Sequence, residues 1–209
     1  MKDKLIILDL DDTLVSTHLR QYICIKDYLD QSGINFADYN TYFELRRTNN
    51  FSNTALLRHL QIDTDWDDFK TYYLANIESE KYLSLDELIV NKKHLIRAIK
   101  KGFKLTLLSL RSNHVNSNKQ LKQLGIADLF EEIYFVYHDS LANPKIEKLK
   151  QFKEQYSSIV FCGDSLSDYE AAQQLNINFV QVKTALYHLP DFKRAKQFTN
   201  INQYFLTIL

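Results

Sequence analysis

The sequence predicts a doubly wound α/β fold: a parallel sheet covered by helices on both faces, with an α-helical insertion after the first strand. Three observations carry this. Residues Leu5 to Leu8 form an apolar run that suits a strand with both faces covered. From about residue 19 to 88 the apolar spacing is three and four, the mark of helices. From about residue 92 helical and strand patterns alternate, which implies right-handed crossovers between parallel strands.

Taken in order, "LIIL" is the first strand, and Asp9, Asp11, Asp12 and Thr13 follow where it leaves the core. Three carboxylates in four positions repel one another unless a metal or a basic side chain holds them. A solvated Asp-rich turn is the other reading of that stretch taken alone. The helical insertion begins with "LRQYICIKDYLDQSG", stopped at Gly33, and continues through "YNTYFELRR", "NTALLRHL" and "DWDDFKTYYLANIESE". Next come the helix "KKHLIRAIKKG", stopped at Gly102, and the strand "FKLTLLSL". The helix "NSNKQLKQLG", stopped at Gly125, leads to the strand "EIYFVY". The helix "IEKLKQFKEQY", the strand "SIVFCG", the helix "DYEAAQQLN" and the strand "NFVQV" complete the alternation. Three of the four glycines fall at helix stops and Gly163 closes a strand, which supports these boundaries.

The 209 residues fit one large domain or a core with an insertion, and 45% hydrophobic content, including 13 Tyr and 13 Phe, suffices for a sizeable core. Lys+Arg and Asp+Glu both number 26, so no broad electrostatic surface for a nucleic acid polymer or an anionic membrane is expected. Cys24 and Cys162 lie among apolar residues and read as buried, reduced thiols. No run approaches a membrane helix, and "MKDK" passes into the strand with no signal-peptide pattern, so a cytoplasmic protein is expected, monomer or homodimer.

Ligands of open parallel sheets bind at the carboxyl ends of the strands. There the first strand delivers Asp9, Asp11, Asp12 and Thr13, and the second delivers Ser109, Arg111 and Asn113. Lys145 follows the third, and the fourth delivers Asp164, Ser165 and Asp168. Carboxylates, hydroxyls and a lysine on one edge suit phosphoryl chemistry. Mg²⁺ prefers a few carboxylates together with water and phosphate oxygens, and it lets a phosphoryl group approach a carboxylate. One aspartate can then act as nucleophile and a second carboxyl as acid and base. A hydroxyl such as Ser109 can bond phosphoryl oxygens, and Lys145 can neutralise developing charge. These residues alone do not choose between Asp9 and Asp11 as nucleophile.

The order "DLDDT", "LLSLRS", "NPKIEKL", "FCGDSLSD" resembles the four motifs of haloacid dehalogenase superfamily phosphatases, over the first strand and most of residues 92 to 183. The resemblance implies a Rossmann-like core of residues 1–17 and 89–209, with a helical C1-type cap at 18–88. It implies Mg²⁺-dependent hydrolysis of a small phosphomonoester through an aspartyl-phosphate. Asp9 is then nucleophile and metal ligand, and Asp11 the acid/base, its backbone carbonyl commonly completing the metal site; in all, Asp9, Asp11, Asp164 and Asp168 form the expected metal set, with an acceptor for metal-bound water or for Lys145 as the other reading of Asp168. Thr13, Ser109, Arg111 and Lys145 form the substrate-binding set, with Ser109 and Lys145 also catalytic. Asp12 stands where the family often has glycine and is expected to point away from the metal. Pro144 precedes Lys145 where many members have proline after the lysine, so Lys148 is a rival for that role. A phosphomutase with the same core, or a non-catalytic phosphoryl-binding regulator, are the alternative functions.

In the insertion, His18 and Arg20 lie near the hinge and are candidates for choosing the substrate. Arg46 and Arg47, with Thr48, Asn49 and Asn50, interrupt the helical pattern and read as exposed helix-end cations answering the dipole; contact with a second anionic group of a substrate is the alternative. His59 and His94 read as ordinary helix residues, and Trp66 as the anchor of a helix N-terminus.

Overall fold

The computed structural model describes residues 4–137, 143–187 and 189–209. Met1–Asp3, part of the N-terminal stretch read as lacking a signal peptide, lie outside them. Along the chain, β1 (Lys4–Leu8) is followed by helices α1 (His18–Gln31), α2 (Tyr39–Asn49), α3 (Asn53–His59), α4 (Trp66–Asn76) and α5 (Glu80–Leu83). Then come α6 (Lys92–Lys100), β2 (Phe103–Leu110), α7 (His114–Gln123), β3 (Glu132–Val136) and α8 (Lys145–Gln155). The chain continues with β4 (Ser158–Gly163), α9 (Leu166–Gln174), β5 (Asn178–Val182), β6 (Lys196–Phe198) and α10 (Ile201–Ile208).

These six strands form one parallel sheet in the order β3-β2-β1-β4-β5-β6, and the described residues hold two further two-residue strands, Val15–Ser16 and Glu87–Leu88. β1 lies inside, with Leu8 opposite Leu107 of β2 and Cys162 of β4. From β1 the chain builds outward through β2 and β3 on one side, and through β4, β5 and β6 on the other. The connections after β1 and β4 therefore leave in opposite directions, and a crevice opens at their carboxyl ends.

Alternation along the strands explains why the sheet is buried on both faces. Ile6 and Leu8 join Leu105, Leu107, Cys162, Val180 and Val182 beneath Leu95 and Ala98 of α6, Leu121 of α7, and Ile201 and Phe205 of α10. Leu5 and Ile7 join Leu108, Ile159, Phe161 and Phe179 beneath Leu149 and Phe152 of α8 and Ala171 and Ala172 of α9. The four β1 side chains Leu5 to Leu8 are all buried, and each contributes roughly 1.5–3 kcal/mol relative to exposure. Gly33, Gly102 and Gly125, expected as helix stops, all adopt positive φ. Cys24 and Cys162 are free and buried; burial pushes the Cys24 thiol up to about 12 and Cys162 well above its ordinary value.

The described chain divides into two units: one of residues 4–16, 88–185 and 189–209, which holds the sheet, and one of residues 17–87 with 186 and 187. The second is helical and packs Tyr22, Ile25, Tyr28, Leu29, Tyr42, Leu56, Leu57, Phe69 and Leu186 together. Helices α2, α3 and α4 start on short polar caps: Asp38 accepts from the amides of Asn40 and Thr41, Ser52 from Ala55, and Asp65 from Asp67 and Asp68. Trp66 sits directly after its cap, packs on the unit's apolar cluster, and carries the Arg58 guanidinium 4.9 Å from its ring centroid. No helix among the described residues is long and apolar enough to cross a membrane.

Two local expectations are corrected. Arg46 and Arg47 do not interrupt a helix; α2 runs on to Asn49 and ends because Asn50 takes a left-handed conformation, φ 54°. Arg46 is fully buried, bonded to the Tyr42 hydroxyl at 3.1 Å and to Asn53 Oδ1, with the Tyr187 ring 4.9 Å from its guanidinium. The helix expected across residues 65–80 ends at Asn76, and α5 starts afresh at Glu80 because Ser79 is extended.

Candidate active site

The carboxyl ends of β1 and β4 bring Asp9, Asp164 and Asp168 together: one carboxylate oxygen from each lies within 4.8 Å of the others. Asp9 follows β1 directly, and its amide bonds the Cys162 carbonyl of β4 at 2.9 Å, so the two strand ends are fixed against each other. Asp164 follows Gly163, and Asp168 lies in the first turn of α9.

Lys145, the first residue of α8, is buried and places Nζ 2.6 Å from Asp9 Oδ1 and 2.6 Å from Asp168 Oδ1. Lys148 is turned elsewhere, bonded to Gln151 Oε1 at 2.9 Å and lying 4.0 Å from the Tyr134 ring centroid. The structure thus brings Lys145, and not Lys148, to the acids. Two neighbours hold Lys145 and Asp168 in place. Asn143 accepts from the Lys145 amide at 3.1 Å and donates to the Ser167 carbonyl at 2.6 Å. Ser165 caps α9 by accepting from the Asp168 amide and donates to Asp168 Oδ2 at 2.7 Å. The sequence reading assigned neither a role. The Asn-Pro dipeptide before Lys145 is a legible turn signal, and a serine three residues before an acid is a legible capping pattern.

Gly163 is required here by close approach. A Cβ at this position would lie 2.5 Å from Asp168 Oδ2, so any larger residue displaces that carboxylate. Gly163→Ala is expected to lower stability by about 1–3 kcal/mol, and urea unfolding of the two proteins checks this.

The charges of the cluster do not balance. Burial outweighs the pull of Lys145 on Asp9 and, with the Asp168 charge, raises its pKa from 3.8 to about 7. Burial and the charges of Asp12 and Asp9 push Asp164 well above the ordinary carboxylate range. Burial works against the Lys145 charge too, but Asp168 and Asp9 outweigh it and hold the lysine above its usual value. One lysine serving a buried set of acids leaves negative charge uncompensated. The donor set, hard oxygens from three carboxylates, is the type that holds Mg²⁺.

The remaining predicted residues take distinct places. The Asp11 carboxylate is not part of the three-acid cluster; Oδ2 accepts from Arg111 Nε at 2.9 Å and Oδ1 accepts from Arg111 Nη2. Asp12, also outside that cluster, has φ 52°, and its carbonyl accepts from the Thr184 hydroxyl. Asp tolerates this left-handed conformation better than most residues. Thr184, contributed by the segment after β5, has no signal in the sequence. Thr13 is buried and donates to Asp164 Oδ1 at 3.5 Å. Ser109 is buried near the end of β2, and Asn113 caps α7 by accepting from the Asn116 amide at 3.0 Å. In the helical unit, Arg20 is buried and paired with Asp86 at 3.3 Å, and the His18 ring lies 5.3 Å from that of Phe43.

The sequence from residue 6 to 182 matches the model of the haloacid dehalogenase-like hydrolases, and the chain belongs to that family. Solved structures share its fold. A predicted phosphoglycolate phosphatase from Haemophilus somnus 129PT aligns with TM-score 0.71 at 21% identity, covering 100% of this chain and 99% of its own. A HAD-superfamily hydrolase of subfamily IA from Geobacter sulfurreducens PCA gives 0.71 at 15% identity, covering 99% and 96%. YfnB from Bacillus subtilis, solved bound to magnesium, gives 0.65 at 14% identity, covering 100% and 99%. No curated protein matches the sequence.

Proposed function

We propose that this hydrolase cleaves a small phosphomonoester, with Mg²⁺ held by Asp9, Asp164 and Asp168 and with Asp9 as nucleophile. The observation that supports this most directly is the cluster of those three carboxylates, Asp9 and Asp168 of them paired with the Lys145 ammonium, at the crevice of the sheet. Membership of the hydrolase family and the magnesium bound to YfnB point the same way.

When bound, Mg²⁺ offsets charge between the phosphoryl group and the attacking carboxylate. The chain's own residues do the rest. An Asp9 oxygen attacks phosphorus, the bond from phosphorus to the ester oxygen breaks, and Asp11 gives its proton to the departing oxygen. A water oxygen then attacks the aspartyl-phosphate, the bond from Asp9 to phosphorus breaks, and Asp11 takes the water's proton, ready for the next ester. Ser109 donates to a phosphoryl oxygen, and Lys145 neutralises charge that develops on the phosphoryl group and holds Asp9 toward it.

The test is phosphate release from a panel of phosphomonoesters, with Mg²⁺ and with EDTA. Release that needs the metal is the expected result, and the preferred ester defines the leaving group. Absence of release from every ester with Mg²⁺ present overturns the proposal.

A further inference from the structure

The Asp11 carboxylate is held in a way that the catalytic cycle requires at one stage only. Both of its oxygens accept from a single guanidinium, Nε to Oδ2 at 2.9 Å and Nη2 to Oδ1. Arg111 is almost wholly buried, while the Asp11 side chain is about one-third exposed. The arginine is therefore the fixed member: it leaves the end of β2, where the Arg111 amide bonds the Val136 carbonyl of β3 at 3.2 Å. A parallel two-point bond sets the plane as well as the position of a carboxylate, which one ammonium cannot do. It also matches the ionised carboxylate, the form Asp11 takes after protonating the departing oxygen and before accepting a proton from water.

We propose that Arg111 is the positioning residue for Asp11 in the second half of the reaction: it holds the ionised carboxylate in the orientation that takes the proton from the attacking water. This rests on the phosphatase reading above and adds a division of labour within it. Formation of the aspartyl-phosphate from an ester with a good leaving group needs no proton from Asp11. Its hydrolysis needs the oriented base.

The experiment is rapid mixing of the full chain, with Mg²⁺, against p-nitrophenyl phosphate, following nitrophenolate and phosphate separately. Arg111→Lys keeps the charge and removes the fork. It is expected to give a stoichiometric burst of nitrophenolate and then a steady rate lowered about 10²-fold, the size of effect that follows misplacement of a reacting group. Asp11→Asn is expected to show the same burst, and the double variant is expected to be no slower than Asp11→Asn alone, because Arg111 acts only through Asp11. Equal loss of burst and steady rate in Arg111→Lys, full retention of activity, or losses that add in the double variant overturn the proposal. If the wild type itself releases no nitrophenolate and behaves like Asp9→Asn, the phosphatase reading has failed and the positioning role falls with it.

Discussion

Asp9→Asn is expected to abolish phosphate release, lowering kcat by roughly 10⁴–10⁶-fold as removal of a nucleophile does, while leaving a folded protein at least as stable as the wild type without metal. The second half of this result follows from the charge imbalance. Asp9 is buried and its pKa rises from 3.8 to about 7, so in EDTA the folded state binds a proton that the unfolded chain has already released. Stability is then full below the unfolded value of 3.8, declines as pH rises, and reaches its reduced level above about 7. The amide variant lacks this decline. Chemical unfolding of both proteins in EDTA at several pH values checks it: parallel curves would show that Asp9 carries no such strain. Mg²⁺ is expected to restore stability to the wild type and much less to the variant.

Lys145→Met is expected to be the most destabilising single change at the site. It leaves Asp9 and Asp168, both bonded to Nζ at 2.6 Å, without their cation in a buried setting. Breaking a buried pair by removing one partner costs about 3–5 kcal/mol. The Phe161 ring, 5.6 Å from Nζ, supplies apolar surroundings that make the unpaired acids worse off. Turnover is expected to fall by about 10²–10³-fold with the loss of this charge. Lys148→Met, one turn along α8, is expected to change neither quantity by more than about 0.5 kcal/mol or a few-fold. Urea midpoints and kcat for the two variants decide the matter, and similar losses in both would show that Lys145 has no special place.

Much of the fold was legible because the sheet is buried on both faces. "FKLTLLSL", "SIVFCG" and "NFVQV" are apolar runs bounded by polar or glycine residues, and they match β2, β4 and β5 at both ends. β6 was not legible: Lys196–Phe198 is a three-residue edge strand with nothing to alternate. Helix α10, by contrast, carries Ile201, Tyr204, Phe205 and Ile208 at helical spacing, and its pattern can be read. At the site, spacing placed Asp9, Lys145, Asp164 and Asp168 at strand ends, but it could not say that Asp11 turns to Arg111 or that Asn143 and Ser165 brace Lys145 and Asp168. The Asp11–Arg111 partnership joins two strand ends far apart in the chain and depends on rotamers chosen by tertiary packing, whereas the two braces are local and their turn and capping signals were legible without pointing to a role at the site. The reading of Arg46 failed for a similar reason: besides Tyr42, one turn back on α2, it is held by Asn53 and by Tyr187 from the far end of the sequence.

The position of β1 inside the sheet sets a timetable for biosynthesis. Leu8 can pair on one side only when Leu107 has been made, and on the other only when Cys162 has. A nascent chain must hold this apolar segment unpaired while the whole helical insertion emerges, with the aggregation hazard that exposed strand edges carry. Asp9 has its lysine only after residue 145 leaves the ribosome, and its second acid partner only after residue 168. Growing chains released before that point lack the three-acid cluster altogether, and when it can first form the strands β5 and β6 are still to be made.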